Sequence, residues 1–444
     1  MGSRPFVEQR LRDILHQDIS DTSADRPRPR RPPAHTPSTN SNSGRSSNSH
    51  SAPKTRKSPQ PANRKSPRSW HRQGLKTPAN QTMKPYLRPW DIIQIMKMTF
   101  AHHSHLVRVG VLLLFTATFV LPATGATFTV TKIADTNDGN CDADCSLREA
   151  IAAANSAPTD DVINFEPAVF GVPQTITLGG SELIIGSGTN LTINGPGPNL
   201  LTISGNDQSR VVFVGESSVA SINGLKITRG NGFGSLGNSH GGGLRTHNFT
   251  SVFLNNTIIT NNRASGNGGN LDLSNSTLSV TNSVISDGTS GTGASGLFAY
   301  SSNITIVNST LSRNTSGAIF ISNGTLNIQS SNISNNTTAG DGGAILNFGG
   351  TVIINSSTLN ENVGRQGGGA ISGVNGSITI DDSSIIGNRA EFFGGGGIKS
   401  YGRLTISNST IANNTAINSE GGGGIYGRQS GSTLDIRDSI LGTL

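Results

Sequence analysis

Apolar and polar residues alternate with a period of two over most of the second half of the chain, as in "GTVIINSSTLNEN" and "GRLTISNSTIANN". Alternation of this kind, interrupted by Gly and Asn, predicts short β-strands separated by tight turns. The residues predicted to point inward include Leu404, Ile406 and Ile411. Asn and Gly are expected in the turns, where left-handed backbone conformations are needed. The predicted fold class is therefore all-β.

An aliphatic residue also returns at a nearly constant interval. Alignment on the motif x-Ser-x-[Ile/Leu]-x-x-Asn gives successive spacings of 26, 26, 22, 26, 26 and 26 residues, followed by one of 30. A fixed period of this size indicates a solenoid, and about 26 residues accommodate three short strands and three turns, or one turn of a parallel β-helix. The repeated aliphatic residues are Ile259, Ile285, Leu311, Ile333, Leu359, Ile385, Ile411 and Leu441.

The Asn that closes each motif is expected to have a structural role. Strands in successive turns of a parallel β-helix lie about 4.8 Å apart, so residues at one repeat position form a column along the axis. Buried amides need hydrogen-bond partners, and a column of Asn side chains supplies them. The predicted asparagine ladder consists of Asn314, Asn336, Asn362, Asn388 and Asn414.

Charge is distributed unevenly between the two parts of the chain. Residues 1–126 contain 20 Lys and Arg against 6 Asp and Glu, whereas residues 127–444 contain 14 against 21, a balance of −7. The overall charge of +7 therefore comes from the N-terminal part alone. It gives no reason to assign nucleic-acid binding to the folded part.

The N-terminal part has two predicted segments. Residues 1–95 are basic and rich in Pro and Ser, which predicts a disordered extension. Residues 96–126 contain a basic start, an apolar stretch and small residues before a cleavage point, the pattern of a secretory signal peptide. We therefore expect translation to start at Met96 or Met98, or at Met83, with the upstream residues a gene-model extension. The alternative is an uncleaved internal anchor; the mature chain is expected to have no transmembrane span.

Both cysteines lie in "NCDADCSLREAIAAAN", residues 140–155, as Cys141 and Cys145. A zinc site needs four ligands, and only His240 and His247 are available downstream. The C-x-x-x-C spacing also differs from the C-x-x-C of redox motifs. In an exported protein, a local disulfide is the expected state.

Four acids lie in or just before this stretch and offer oxygen ligands for calcium. Their spacing does not fit the EF-hand loop, in which glycine and the terminal glutamate occupy fixed positions. Calcium stays an open alternative, and no metal-binding, cofactor-binding or catalytic residue is assigned. The four acids are Asp135, Asp138, Asp142 and Asp144.

A short helix is predicted directly after the cysteines. Ser146 and Glu149 have the spacing of a capping box, in which each side chain binds the other residue's backbone amide. The residues that follow form one apolar face, and the helix ends before Pro158. The first turn of a solenoid needs a cover, so residues 127–165 are expected to be an N-terminal cap. Residues 166–444 are expected to form the β-helix, uncapped at its C-terminus.

Two family resemblances support this organisation. "FTVTKIADTNDGNCDADCSLREAIAAAN", residues 128–155, is similar to the CSLREA domain that opens many exported bacterial β-helix proteins. The paired Gly-Gly-[Ile/Leu] and x-x-Asn signals resemble the repeats of chlamydial polymorphic outer-membrane proteins. Together the resemblances cover about residues 127–444. They imply a right-handed, pectin-lyase-like β-helix outside the cytoplasm.

Catalytic residues are not evident in the repeats. Polysaccharide lyases and hydrolases of this fold need carboxylates that converge on one groove. Asp382 and Asp438 occupy equivalent repeat positions, but they lie two turns apart. Arg263 and Arg389 also share a repeat position and lie five turns apart.

The expected function is that of a secreted, cell-surface or outer-membrane protein with an adhesive, binding or structural role. The expected partners are extracellular carbohydrate or the surface of a host or neighbouring cell. The alternative is a polysaccharide lyase or glycoside hydrolase whose acids lie in residues 156–240.

Overall fold

The structure is a computed structural model. The predicted extension (1–95) and nearly all of the predicted signal peptide (96–126) lie outside its described residues. The described residues are 124–156, 159–237, 239–417, 421–427 and 431–442.

Two helices and 39 short strands make up the described part of the chain. The helices are α1 (Leu147–Ala154) and α2 (Pro167–Phe170). The first strands are β1 (Thr127–Val130), β2 (Asp160–Phe165), β3 (Gln174–Thr177), β4 (Leu183–Ile185), β5 (Asn190–Asn194), β6 (Leu201–Ser204), β7 (Val212–Val214), β8 (Val219–Asn223), β9 (Lys226–Thr228), β10 (Leu244–Thr246), β11 (Ser251–Asn255), β12 (Ile258–Thr260), β13 (Arg263–Ala264), β14 (Leu271–Ser274), β15 (Thr277–Thr281), β16 (Val284–Ser286), β17 (Thr289–Ser290), β18 (Leu297–Tyr300), β19 (Asn303–Val307) and β20 (Thr310–Ser312). They are followed by β21 (Ile319–Ser322), β22 (Thr325–Gln329), β23 (Asn332–Ser334), β24 (Thr337–Thr338), β25 (Ile345–Phe348), β26 (Thr351–Asn355), β27 (Thr358–Asn360), β28 (Val363–Gly364), β29 (Ile371–Val374), β30 (Ser377–Asp381), β31 (Ser384–Ile386), β32 (Arg389–Ala390), β33 (Ile398–Ser400), β34 (Arg403–Ser407), β35 (Thr410–Ala412), β36 (Thr415–Ala416), β37 (Ile425–Tyr426), β38 (Thr433–Arg437) and β39 (Ile440–Gly442).

Three long parallel sheets run along the molecule, and each full turn of the chain contributes one strand to each. Sheet 1 has 12 strands, from β1 to β38; sheet 2 has 11, from β3 to β39; and sheet 3 has 10, from β4 to β37. Two-residue strands form short additional ladders, β13 with β17 and β24 through β36, directly after the asparagine position. The predicted right-handed parallel β-helix is confirmed, with about 11 turns.

The predicted period matches the strand register. Ile259 pairs with Ile285, and each later member of the aliphatic series pairs with the next, through Ile411 with Leu441. The members from Ile259 to Ile411 are at most 1% exposed, whereas Leu441 on the last strand is 49% exposed. Apolar side chains from the three sheets therefore fill one continuous interior, since strand alternation directs every second residue inward.

A serine ladder supports the turn between sheets 1 and 2. The Ser of the repeat motif follows a left-handed residue such as Asn282 (φ 50°) or Asn308 (φ 48°). Its hydroxyl accepts a hydrogen bond from the backbone amide of the residue at the same repeat position in the preceding turn, at 3.0–3.1 Å throughout the series. The motif contains this Ser, but the sequence reasoning assigned it no role.

Helix α1 packs against β4, the first strand of sheet 3. Asn155 Nδ2 donates to Ile184 O at 2.8 Å, and Gly186 N donates to Asn155 Oδ1 at 2.7 Å. Arg148 donates to the carbonyls of Ser181 and Glu182. The helix thereby satisfies backbone groups along a strand edge that has no strand beside it. Strands β1 and β2 meanwhile pair within sheet 1, so the residues expected as a cap also begin the stack.

No helix among the described residues combines the length and the apolar character needed to cross a membrane.

Candidate functional site

The cysteines form a local crosslink beside the first strand. Cys141 and Cys145 are joined by a disulfide with an S–S distance of 2.02 Å. Cys145 is fully buried, and its carbonyl accepts a hydrogen bond from Thr131 N at 2.9 Å. The pair thus ties the acidic loop to the end of β1.

Ser146 and Glu149 form both hydrogen bonds of a capping box. Glu149 N donates to Ser146 Oγ at 3.1 Å, and Ser146 N donates to Glu149 Oε2 at 2.7 Å. Glu149 also accepts from Asp138 N at 3.1 Å and lies 3.3 Å from Lys132 Nζ. Burial opposes ionisation of Glu149, but these donors hold the pKa of its carboxyl below the ordinary value. The buried carboxylate of Glu149 therefore caps the N-terminus of helix α1.

The four acids proposed as calcium ligands do not converge. Asp135 pairs with Arg148 Nε at 2.8 Å and accepts from Gly179 N at 2.8 Å. Asp144 pairs with Lys132, while Asp138 and Asp142 accept from backbone amides two residues ahead. Within the described ranges no group of three or more His, Cys, Asp or Glu side chains is placed to hold a metal ion.

The five predicted ladder asparagines form one hydrogen-bonded column. The Nδ2 of each of the first four donates to the next Oδ1 along the axis, at 2.9–3.0 Å, and the Nδ2 of Asn414 donates to Ile385 O. The same Oδ1 accepts the preceding asparagine's backbone amide, at 2.9–3.0 Å. Because both ends of each linking amide are engaged by the protein itself, the column stabilises the turn and offers little to a ligand.

One ladder position is filled from elsewhere in the chain. Gly288 occupies the repeat position between Asn262 and Asn314. Asn270 fills the space by accepting from Asn262 Nδ2 at 2.9 Å and donating to Asn314 Oδ1 at 3.2 Å. A Cβ on Gly288 would lie 2.7 Å from Asn270 Nδ2 and 2.4 Å from Ser295 O. Sequence reasoning missed Asn270, although the Gly in a series of Asn was a signal.

Several aromatic side chains and the most deeply buried ion pair of the described residues lie on or beside the outer face of sheet 3. One outward-facing residue per strand forms a column in register along this face. The members are Ile184, Phe213, Arg245, Asp272, Phe298, Phe320, Leu346, Ser372, Lys399 and Tyr426.

The N-terminal end of this face contains a buried ion pair. Arg210 Nη1 lies 2.6 Å from Glu182 Oε2, with 0% and 3% side-chain exposure. Arg210 also donates to carbonyls of the glycine-rich loop 230–243, including Gly232 and His240. The second Glu182 oxygen accepts from Ser235 N. Glu182 lies within residues 156–240, the region expected to contain the acids of the alternative enzyme, but its carboxylate holds this loop.

Beside this ion pair lies an open cavity of about 230 Å³. Phe233 (51% exposed) and Ile184 (43% exposed) supply its apolar walls. It is an accessible pocket, but no convergent catalytic groups line it.

Asp272 is the most perturbed carboxyl on the face. Its side chain is 8% exposed and lies 3.3 Å from Arg245 Nε. Burial raises the pKa of Asp272 to about 6, against the opposing influence of Arg245 and Arg210. A carboxyl with this pKa can exchange protons near neutral pH, so Asp272 is the best candidate acid or base in the described residues.

The middle of the face is an aromatic stack. The Phe298 and Phe320 rings lie parallel with centroids 4.7 Å apart, and both side chains are buried. The preceding glycine-rich loop covers them, since Ala294 belongs to the same cluster and a Cβ on Gly293 would lie 2.7 Å from the Phe298 ring. These rings pack the structure and are not available to a ligand.

At the C-terminal end, aromatic rings reach the surface. The "aromatic cluster" is Phe393, Lys399, Tyr401 and Tyr426 together with Asp341. Lys399 Nζ lies 2.7 Å from Asp341 Oδ1, 5.8 Å from the Phe393 ring centroid and 5.4 Å from that of Tyr401. The Tyr401 and Tyr426 rings meet edge-on at 6.4 Å. Phe393 remains 46% exposed.

The charged residues noted in the repeats stay separate. Asp382 accepts from Ser356 Oγ at 2.9 Å, and Arg389 pairs with Glu391 at 2.7 Å. Arg263 donates to the Asp207 carbonyl at 3.4 Å. These contacts are local surface interactions, and they assemble no catalytic group.

The strand pairing of this chain defines the class of protein, a parallel β-helix. No family model and no curated protein matches the chain, so the CSLREA and outer-membrane-protein resemblances stay predictions.

Several solved structures are similar to it. They include the pectate lyase Pel9A, at 14% identity and a TM-score of 0.43, over 70% of this chain and 79% of that chain. The catalytic unit of a thermostable GH87 α-1,3-glucanase from Streptomyces thermodiastaticus has 14% identity and a TM-score of 0.32, over 72% and 69%. PfbA, a surface adhesin of Streptococcus pneumoniae, has 10% identity and a TM-score of 0.26, over 64% and 86%. These identities are too low to transfer a function.

Proposed function

We propose that this protein is an exported β-helix that binds extracellular carbohydrate, with an adhesive or anchoring role at a cell surface or after secretion. The observation that carries the proposal is the aromatic cluster. It presents one exposed ring, Phe393, beside two half-buried tyrosine rings in a fixed arrangement on a glycine-rich solenoid.

The chemistry of the cluster suits a sugar. Aromatic rings offer flat apolar surfaces that match the C–H faces of pyranose rings, while tyrosine hydroxyls and charged groups at the edge can bind sugar hydroxyls. The ion pair between Lys399 and Asp341 is almost buried, at 9% and 14% side-chain exposure. Since Lys399 also contacts two rings, this pair fixes their positions before a ligand arrives.

Export rests on the pattern of residues 96–126 and is supported by the disulfide between Cys141 and Cys145. Disulfides persist in oxidising compartments and are rare in the cytosol.

The test uses the full chain and a panel of immobilised neutral and acidic polysaccharides. Phe393→Ala and Tyr401→Ala should each reduce retention on the bound polysaccharide at least tenfold. Phe249→Ala is the matched control, because Phe249 is 68% exposed and is not a member of the cluster. Equal retention of all three variants, or no retention of the parent chain, would show that the cluster is not a carbohydrate site.

A second candidate function is carbohydrate cleavage, and Asp272 is the observation that favours it. A carboxyl with a pKa of about 6 beside two arginines can act as an acid or base near neutral pH. Release of reducing ends or unsaturated products by the parent chain, lost in Asp272→Asn, would establish this function. Retention on polysaccharide without product would leave binding as the function. A chain that shows neither retention nor product release would be a purely structural protein.

A further inference from the structure

The outer face of sheet 1 is a long uncharged surface built from five-residue strands. In the described strands β5, β8, β11, β15, β19, β22 and β26, none of the outward-facing residues is charged. We call these residues the "polar face". They are Asn190, Thr192, Asn194, Val219, Ser221, Asn223, Ser251, Phe253, Asn255, Thr277, Ser279, Thr281, Asn303, Thr305, Val307, Thr325, Asn327, Gln329, Thr351, Ile353 and Asn355.

Charges appear only at the two ends of this face. Asp160 on β2 precedes it, and Asp381 and Arg403 follow it on β30 and β34. Residues 127–444 contain 14 Lys and Arg and 21 Asp and Glu, so seven successive charge-free strands do not follow from composition alone. The outward residues of sheet 2 from β12 to β35 are uncharged as well, but those strands are only three residues long. A surface of this kind has no electrostatic complement for an acidic or basic polymer.

The side chains of the polar face form a regular array. The strands are paired in register from β5 to β26, so outward residues repeat about 4.8 Å apart along the axis and about 6.6 Å apart along each strand. Seven strands therefore extend about 29 Å along the axis. Every outward position is exposed or half-buried. Hydroxyl and amide groups are thus presented to solvent over a length that spans several sugar units.

The array also contains a recess and an aromatic ring. A cavity of about 300 Å³ lies at its N-terminal end, where Asp160 and Asp161 line it together with Asn190, Leu191, Thr192, Val219 and Ser221. Phe253, at the central outward position of β11, is 43% exposed. A recess beside an exposed ring is the usual arrangement for holding one sugar residue of a chain.

We propose that the polar face is a docking surface for an extended, uncharged polysaccharide, which lies along the axis and across the strands. Sugar hydroxyls exchange hydrogen bonds with the Thr, Ser and Asn side chains, and one ring stacks on Phe253 next to the recess. Uncharged donors and acceptors cost less free energy to desolvate than ionised ones. Weak contacts at successive turns of the β-helix therefore add up to a measurable affinity for a long chain. This surface is separate from the aromatic cluster, and the inference does not depend on that cluster.

A matched pair of substitutions tests the proposal in the full chain. Thr305 lies on the polar face and Thr358 on the outside of sheet 2, and both are exposed strand residues. The probes are insoluble cellulose, chitin, mannan and xylan, with immobilised polygalacturonate as the acidic comparison. Thr305→Arg should weaken retention on the bound neutral polysaccharide at least tenfold, Phe253→Ala should weaken it similarly, and Thr358→Arg should change it less than twofold.

The thermal midpoint of each variant shows whether it has folded. Three outcomes overturn the proposal: retention by none of the neutral polysaccharides, preferential retention by polygalacturonate, and equal effects of Thr305→Arg and Thr358→Arg in folded protein. Loss of retention in Phe393→Ala but not in Thr305→Arg would leave the aromatic cluster as the site and remove the polar face. The reverse result would remove the cluster and retain the face.

Discussion

Substitution of Asn362 by Ala tests the energetic role of the asparagine ladder. Asn362 is fully buried. Its Oδ1 accepts from Asn336 N and Asn336 Nδ2, both at 3.0 Å, and its Nδ2 donates to Ile333 O at 2.8 Å and to Asn388 Oδ1 at 3.0 Å. Each of these four bonds contributes about 1 kcal/mol net. We expect Asn362→Ala to lower the free energy of unfolding by about 4 kcal/mol.

The assay is urea unfolding of the full chain followed by far-ultraviolet circular dichroism. Asn303→Ala is the control, because Asn303 is an exposed residue of the polar face and its loss should change stability by less than about 0.5 kcal/mol. A loss in Asn362→Ala below about 1.5 kcal/mol, or one equal to that of the control, would refute the estimate built from individual hydrogen bonds.

Two further predictions concern the buried charges on sheet 3. Because burial raises the pKa of Asp272 to about 6 from 3.8, the folded state binds this proton more tightly than the unfolded state. The free energy of unfolding should therefore decrease as pH rises from about 4 to about 6. In Asp272→Asn the urea midpoint should no longer show this decrease. Parallel pH profiles of the urea midpoint in the two proteins would contradict the raised pKa of Asp272. Arg210→Ala leaves Glu182 buried without its partner, so we expect a loss of about 3–5 kcal/mol and rapid chymotryptic cleavage at Phe233. Arg389→Ala, whose side chain is 45% exposed, should leave cleavage unchanged, and equal cleavage of both variants would show that Arg210 does not hold the loop.

The repeating features of the fold were predictable because each is formed by residues at a single position of the repeat. Residues separated by one repeat become neighbours on adjacent turns, so a periodic Ile or Asn predicts a column without further information. The register from Ile259 to Leu441 confirms that inference, including the turn of 22 residues between Leu311 and Ile333. The serine ladder follows the same logic and was present in the motif.

Departures from the repeat were not predictable from period alone. Asn270 replaces the absent side chain at Gly288 from a different part of its turn, because the glycine-rich loop brings it 3.2 Å from Asn314. Its role depends on the path of that loop, which varies in length between turns. The aromatic cluster was missed for the same reason, although the adjacent pair Phe392 and Phe393 is unusual in a chain with 5% aromatic residues.

The sequence by itself determined the all-β solenoid, its period, the inward-facing residues and the asparagine ladder, since each follows from short-range alternation and exact repetition. Only the tertiary structure decided which outward-facing residues meet. Asp341 and Lys399 are 58 residues apart and Glu182 and Arg210 are 28 apart, and both pairs join side chains from non-equivalent positions on different turns. The physical reason is that stacking in register sets the interior, whereas loop length and packing outside the sheets set the surface on which function depends.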